Sequence, residues 1–359
     1  MSFMTDGKLK IAVFGESHGS AIGVTIDGLP AGVKLDDAFI KAEMARRAPG
    51  KSPYATPRKE ADIPEILSGV LNGVTTGAPL CAIIRNTNTR SADYENVRLT
   101  PRPGHADYTA HVKYRGFEDI RGGGHFSGRL TAPLVFAGAV CKLYLAENGI
   151  HTGAHIERIL TITDTRFDPL GCDTAVFADL AAKAFPALDE KRGEQMKQAI
   201  ADARGDLDSV GGCIEGMITG LPAGLGGPLF AGVEGRLSKL FFAIPAVKGV
   251  EFGDGFAFAH QRASQANDAF TVAEGQIRTK TNHAGGILGG ITSGMPLIYR
   301  LAVKPTPSIA KEQDSVELIS KTPAKLSIHG RHDPCILPRA VCVAEAMAAI
   351  GVADLLLEG

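Results

Sequence analysis

Between residues 102 and 129 the chain reads Arg102-Pro-Gly-His105-Ala-Asp107 and then Arg121-Gly-Gly-Gly-His125-Phe-Ser-Gly-Arg129, which sets two histidines on backbone broken by glycine and proline. Histidine changes charge near neutral pH, so either ring could give or take a proton in a reaction. Gly122, Gly123 and Gly124 remove three side chains in a row, which lets backbone approach a ligand or take positive φ. A glycine-rich surface loop reads the same way. His18 stands in Gly15-Glu-Ser-His-Gly19, after the apolar run Ile11–Phe14, where a strand end can expose a side chain. It reads either as an acid or base or as a plain hydrogen-bonding residue. Lys304-Pro-Thr-Pro-Ser308 puts one cation and two hydroxyls on stiff backbone, suited to a phosphate or the edge of a heteroaromatic ring. Arg331 and Asp333, two apart in Arg331-His-Asp-Pro-Cys335, read as a structural ion pair or as an anion holder beside a proton-handling group.

These residues need a frame. Strand-like runs lie at Ile11–Phe14, Gly23–Asp27, Leu80–Arg85 and Leu297–Val303, and a helix is expected from the N-cap candidate Asp36 to about Arg47, closed by Pro49-Gly50. Arg46, Arg47, Lys51, Arg58 and Lys59 make its end basic, and that segment reads either as a solvated loop or as an anion-binding flap. A repeat runs through the chain. Ile26-Asp-Gly-Leu-Pro-Ala-Gly-Val33 returns as Ile218-Thr-Gly-Leu-Pro-Ala-Gly-Leu225, and Gly73-Val-Thr-Thr-Gly-Ala-Pro-Leu80 as Gly290-Ile-Thr-Ser-Gly-Met-Pro-Leu297, in the same order. Leu130–Leu145 and Val341–Leu357 are apolar on most sides, the pattern of helices covered on both sides. The expected fold is therefore α+β: a single-domain β-α-β sandwich over residues 1–359, with a central helical layer between two mostly antiparallel sheets, built from two related halves. The lysine-rich stretch from about Thr174 to Ala203 reads as a helical surface insertion.

Composition narrows the function classes. A chain of 359 residues with 44% hydrophobic and 21% charged residues is globular, and 43 glycines predict many tight turns. A formal net charge of −1 gives no pull toward nucleic acid or an anionic membrane, so a local basic cluster points to a small anionic substrate. The longest charge-free runs are too short to span a bilayer, and residues 1–10 lack the apolar core of a signal peptide. Six scattered cysteines without Cys-x-x-Cys spacing read as reduced thiols of a cytoplasmic protein. No phosphate-binding Gly-x-x-x-x-Gly-Lys loop or Gly-x-Gly-x-x-Gly turn follows a strand, and no His-Glu-x-x-His pair suggests a metal hydrolase.

Taken together, three segments resemble the chorismate synthases: Gly15-Glu-Ser-His-Gly19 through Pro30, the pair of motifs between Arg102 and Arg129, and Arg331-His-Asp-Pro-Cys335 through Met347. The resemblance spans nearly the whole chain in the family's order. It implies a lyase that converts 5-enolpyruvylshikimate 3-phosphate to chorismate and phosphate by a 1,4-elimination, with reduced FMN and no net redox change. It implies His105 as general acid at the leaving phosphate, His18 as the residue that protonates the reduced flavin, and Asp333 as a proton carrier. Flavin contacts carried over by motif are His125, Phe126, Ser127, Gln265, Ala266, Gly289, Lys304, Pro305, Thr306, Pro307, Ser308 and Arg331. Arg47, Arg58 and Arg129 fall on the substrate side, and in family members that reduce their own flavin the region of Arg47 is linked to NADPH. No metal is implied; a homotetramer is. The sequence offers no separate NADPH-binding domain, which points to an external source of reduced flavin. This chain has His125-Phe-Ser-Gly-Arg129 where many bacterial members carry Arg-Ser-Ser-Ala-Arg, and Pro307 where they carry serine. The alternative reading is a flavin-binding protein without lyase chemistry.

Overall fold

The structure, a computed structural model, describes residues 3–50, 60–87, 98–273, 275–328 and 332–359. Its N-terminal sheet is built from β1 (Lys10–Gly15), β2 (Ala21–Asp27), β3 (Pro64–Ser68) and β4 (Leu80–Arg85), in the order β1-β2-β4-β3. A larger sheet comprises β5 (His151–Ile159), β6 (Ile162–Thr163), β7 (Gly212–Thr219), β8 (Val247–Phe252) and β9 (Leu297–Val303), ordered β8-β9-β7-β5-β6. All strand pairs in both sheets are antiparallel. The helices are α1 (Asp37–Arg47), α2 (Asp107–Tyr114), α3 (Thr131–Glu147), α4 (Thr174–Ala182), α5 (Glu190–Gly205), α6 (Val233–Phe242), α7 (Ala263–Ala266) and α8 (Leu337–Glu358). The fold is thus α+β with antiparallel sheets.

The expected elements form where the residues favour them. Asp36 caps α1 by accepting from the backbone N–H groups of Ala38 and Phe39 at 2.8 and 3.0 Å. Helices α3 and α8 pack on each other, and α3 also meets β1, β2 and β4 on one sheet and β5 on the other. Both are long and apolar enough to cross a membrane, and both are mostly buried in the core. Their backbones come close where Gly138 faces Ala346: a Cβ on Gly138 would lie 2.3 Å from the Ala346 Cβ. The stretch from Thr174 to Ala203 is helical as two helices, and the link between α4 and α5 turns inward and buries Phe185 and Ala187.

The sequence repeat has a counterpart in hydrogen bonding. Thr75 Oγ1 donates to the Pro30 carbonyl at 2.7 Å and accepts from the Val33 N–H at 3.0 Å. In the second copy Thr292 Oγ1 donates to the Pro222 carbonyl at 2.7 Å and accepts from the Leu225 N–H at 2.9 Å. The strands leaving these turns also correspond: Ile26 of β2 sits opposite Leu80 of β4, and Ile218 of β7 opposite Leu297 of β9.

Two ionic clusters are buried within this frame. Glu345 on α8 accepts from Arg46 Nη1 and Nη2 at 2.6 and 2.7 Å, from Lys142 Nζ at 2.5 Å and from the Ala154 N–H at 3.2 Å. Arg46, part of the basic cluster expected in a loop or flap, is therefore a helix-packing residue. Burial alone would raise the Glu345 pKa, but Arg46 and Lys142 outweigh it and pull the carboxyl down to about 2. The second cluster centres on His155 in β5, fully buried, with Nδ1 3.0 Å from Asp164 and Nε2 3.0 Å from Glu215. Asp164 also accepts from the Leu188 and Asp189 N–H groups at 2.6 and 2.9 Å, and Glu215 from the Phe167 N–H at 2.8 Å, which ties the α4–α5 connection to the sheet.

Candidate active site

The glycine triplet is where the motifs meet. Gly122, Gly123 and Gly124 have φ of 62°, 82° and 53°, a left-handed path that side chains disfavour. At Gly122 the missing side chain is also needed for space. A Cβ on Gly122 would lie 2.2 Å from the His18 ring and 2.7 Å from Ser17 Oγ, and one on Gly123 would lie 3.4 Å from Cε1 and Nε2 of His105. The Ser17 N–H donates to the Gly124 carbonyl at 3.1 Å, so the loop after β1 is tied to the triplet. The two histidines, far apart in sequence, thus border adjacent glycines.

His105 is held from the other side. Its Nδ1 lies 2.5 Å from Asp107 Oδ1. Asp107 accepts from Arg102 Nε at 2.7 Å, Nη2 at 2.8 Å and the Arg102 N–H at 3.0 Å. Burial alone would raise the Asp107 pKa, but Arg102 and His105 hold it well below the usual carboxylate range. Arg102 Nη1 reaches Ser308 Oγ at 3.2 Å and Lys304 Nζ donates to the Gly104 carbonyl at 2.6 Å, which docks the 304–308 turn on the His105 loop. Burial, with Lys248 nearby, lowers the Lys304 pKa.

These groups open onto a cavity of about 550 Å³, within the usual size of a small-molecule site. His105, His125, Phe126, Ser127, Arg129, Arg47, Lys304, Thr306, Pro307, Ser308 and Asp333 all line it. His18 lies behind Gly122 rather than on the lining, and Pro305, Gln265, Ala266 and Gly289 are not on it either. Gln265 and Ala266 lie on α7, and Gly289 in an exposed turn. Arg58 and Arg331 fall outside the described residues.

The lining arginines are not bare. Arg47 Nη1 bonds Asp62 at 2.5 Å, its Nε donates to Thr131 Oγ1 at 3.1 Å and its Nη2 to the Gly128 carbonyl at 3.0 Å. Arg129 also bonds Asp62, lies 3.3 Å from Glu60 and donates from Nε to Asn86 Oδ1 at 3.0 Å. Burial alone would raise the Asp62 pKa, yet Arg47 and Arg129 hold it below its ordinary value. Asp333 accepts from Arg339 Nη1 on α8 at 2.7 Å, so an arginine one helical turn and more away supplies a partner that the Arg331–Asp333 spacing does not reveal. Of the lining side chains, Arg47, Arg102, Arg129, Lys304 and Arg339 are cationic, and Glu60 and Asp333 are carboxylates. The surplus of positive charge suits an anionic ligand.

The family described as chorismate synthase matches residues 9–357. The chain belongs to the chorismate synthase family. The chorismate synthase of Thermococcus gammatolerans is 48% identical over 350 residues, covering 97% of this chain and 96% of that one. That of Dehalococcoides mccartyi is 47% identical over 352 residues, covering 98% and 96%. A crystal structure of chorismate synthase superposes with a TM-score of 0.76 at 30% identity, covering 98% of this chain and 92% of that one.

Several residues of this chorismate synthase site carry no role in the sequence reading. Asp107 and Arg102 stand inside the quoted motif, and their pairing was open to a reader who asked what holds a histidine after a Pro-Gly turn. Asp62, Glu60, Asn86 and Arg339 had no local signal, because each acts through a contact distant in sequence. The apolar wall at Ile244-Pro245-Ala246 reads as an ordinary helix exit.

Proposed function

We infer that the chain is a shikimate-pathway lyase, converting 5-enolpyruvylshikimate 3-phosphate to chorismate and phosphate by 1,4-elimination. The observation that carries this reading is His105: one ring nitrogen is held by Asp107 while the other borders Gly123 on a cavity rich in cations. A phosphate leaves poorly unless its developing charge is met, and a protonated imidazole at Nε2 can donate to the departing oxygen. Lys304 and Arg129 lower the energy of the substrate's phosphate and carboxylates in the same space.

Reduced FMN is the proposed cofactor, and the residues present suit it. His125 Nε2 and Thr306 Oγ1 are buried polar atoms without a hydrogen-bond partner among the described residues, both on residues of the cavity wall, as expected where a polar ligand supplies the partner. Phe126, Pro307 and Ile244 give apolar surface for a flat ring. Ser127 and Lys304 to Ser308 would hold it, with Pro305, Gln265, Ala266, Gly289 and Arg331 assigned by family resemblance. When bound, reduced FMN supplies the electron density that removal of a non-acidic hydrogen requires, with no net redox change. His18, against Gly122, is assigned the proton donated toward the cofactor, and Asp333, held by Arg339, the proton leaving the substrate side. Arg47 and Arg58 complete the proposed substrate or NADPH side.

The layered arrangement belongs to the same proposal: one domain, a helical layer between two sheets, two related halves. The matched Thr75 and Thr292 hydrogen bonds support it, as do the contacts of α3 with strands of both sheets. A cytoplasmic homotetramer is proposed from the family; exposed Phe230, Phe256, Phe270, Val272 and Ile277 offer apolar area for such contacts.

The test is phosphate and chorismate release from 5-enolpyruvylshikimate 3-phosphate under anaerobic conditions with reduced FMN, oxidised FMN, or NADPH plus oxidised FMN. Release with reduced FMN alone is expected and places flavin reduction outside this chain. Release with NADPH and oxidised FMN would overturn the external-reductant reading. No release in any arm, from protein that still binds flavin, would favour the flavin-binding alternative.

A further inference from the structure

We propose that Asp107 is the positioning residue for His105, fixing which ring nitrogen carries the exchangeable proton. The inference rests on the reading of His105 as the acid at the leaving phosphate. The Nδ1–Oδ1 separation of 2.5 Å is a direct contact between ring and carboxylate. A carboxylate accepts and does not donate, so Nδ1 bears hydrogen and Nε2 is left for chemistry. The ring cannot turn over without breaking this contact, and the side of the ring with Nε2 borders Gly123, where a Cβ would lie 3.4 Å from Cε1 and Nε2.

Asp107 is itself immobilised. Three nitrogens of Arg102 bond it, and Arg102 is 5% exposed, so the carboxylate cannot swing to solvent. The charged groups in contact with His105 are Asp107 and Arg102 from its own loop, while Lys304 Nζ bonds the carbonyl of the preceding Gly104. On the side of the glycine segment the ring borders Gly123. Arg102 Nη2 lies 3.1 Å from Nδ1 and opposes a proton on the ring; Asp107 offsets it. The pair therefore acts as an orienting device whose carboxylate fixes the ring and its tautomer.

The sharpest variant is Asp107→Asn, which keeps shape and removes charge. The expected result is a fall in kcat of about 10- to 100-fold, with the kcat–pH profile changed and KM changed little. Asp107→Glu, which restores the carboxylate, should recover the profile toward its original form. The ring is also read directly in the wild-type protein by ¹⁵N-histidine NMR, which needs no variant to fold: the neutral ring should be the Nδ1–H tautomer. An Nε2–H tautomer, or an Asp107→Asn enzyme with an unchanged pH profile, would overturn the proposal. These failures differ from failure of the underlying reading, which shows as His105→Ala turning over at the wild-type rate.

Discussion

Among the histidines that sit against aspartates, His155 and His105 are built for opposite ends. His155 has a carboxylate on each ring nitrogen and no exposed surface. Both nitrogens are committed, so the ring cannot exchange a proton with a ligand. It joins the α4–α5 connection to β5 and β7. Burial by itself would lower its pKa, but Asp164 and Glu215 outweigh burial and raise it. His105 has one nitrogen committed to Asp107 and the other bordering Gly123 at the cavity. What separates a structural histidine from a reactive one here is not the aspartate, which both have, but whether the second nitrogen is closed off or left open.

The strongest way to break that comparison is His105→Ala, expected to cut turnover by about 10²–10⁴-fold while substrate binding persists, measured by steady-state phosphate release and equilibrium binding. Unaltered turnover would make the open nitrogen irrelevant. The corresponding change at the closed site, His155→Gln, leaves two buried carboxylates without their cation. It should cost about 3–5 kcal/mol of stability in urea unfolding, yet leave turnover per folded molecule unchanged. Gly122→Ala sharpens the picture at the site itself. Its Cβ would run into the His18 ring, so activity should fall by more than about tenfold with a stability loss of about 1–3 kcal/mol, read by assay and unfolding together.

Smaller effects should appear along the pH axis, with opposite signs in the two buried clusters. The raised His155 pKa means its stabilisation is full below the ordinary histidine value and is lost as pH rises through the folded one. Glu345, ordinarily near 4.5 and held down to about 2, stabilises above the ordinary value and loses its contribution as pH falls toward about 2. Unfolding free energies at a series of pH values should therefore show the His155→Gln penalty shrinking at alkaline pH and a Glu345→Gln penalty shrinking at acid pH. A penalty flat with pH would contradict the ionic account.

Much of the frame was readable before the structure. Apolar runs, the Asp36 cap and the recurring Leu-Pro-Ala-Gly turns marked strands and helices whose positions hold to within a few residues at most ends; α8 begins earlier, at Leu337, because Pro338 suits a helix start. Arg46, Lys142 and Glu345 were not readable as a cluster, since charges on a helix look solvated until the facing helices are known. At the site, the glycine triplet stood out, but its reason did not. Only folding brings His18 beneath Gly122 and His105 beside Gly123. Arg47 and Arg129 were readable as cations and not as partners of one shared Asp62, which lies beyond a segment whose composition says nothing about reach.

The most direct measurement is phosphate release from 5-enolpyruvylshikimate 3-phosphate, anaerobically with reduced FMN, by the wild type, His105→Ala and His155→Gln side by side. Loss at His105 of about 100-fold or more, with the His155 variant matching the wild type per folded molecule, is the predicted result. Equal rates for the two variants would contradict the claim that the open nitrogen of His105 does the chemistry.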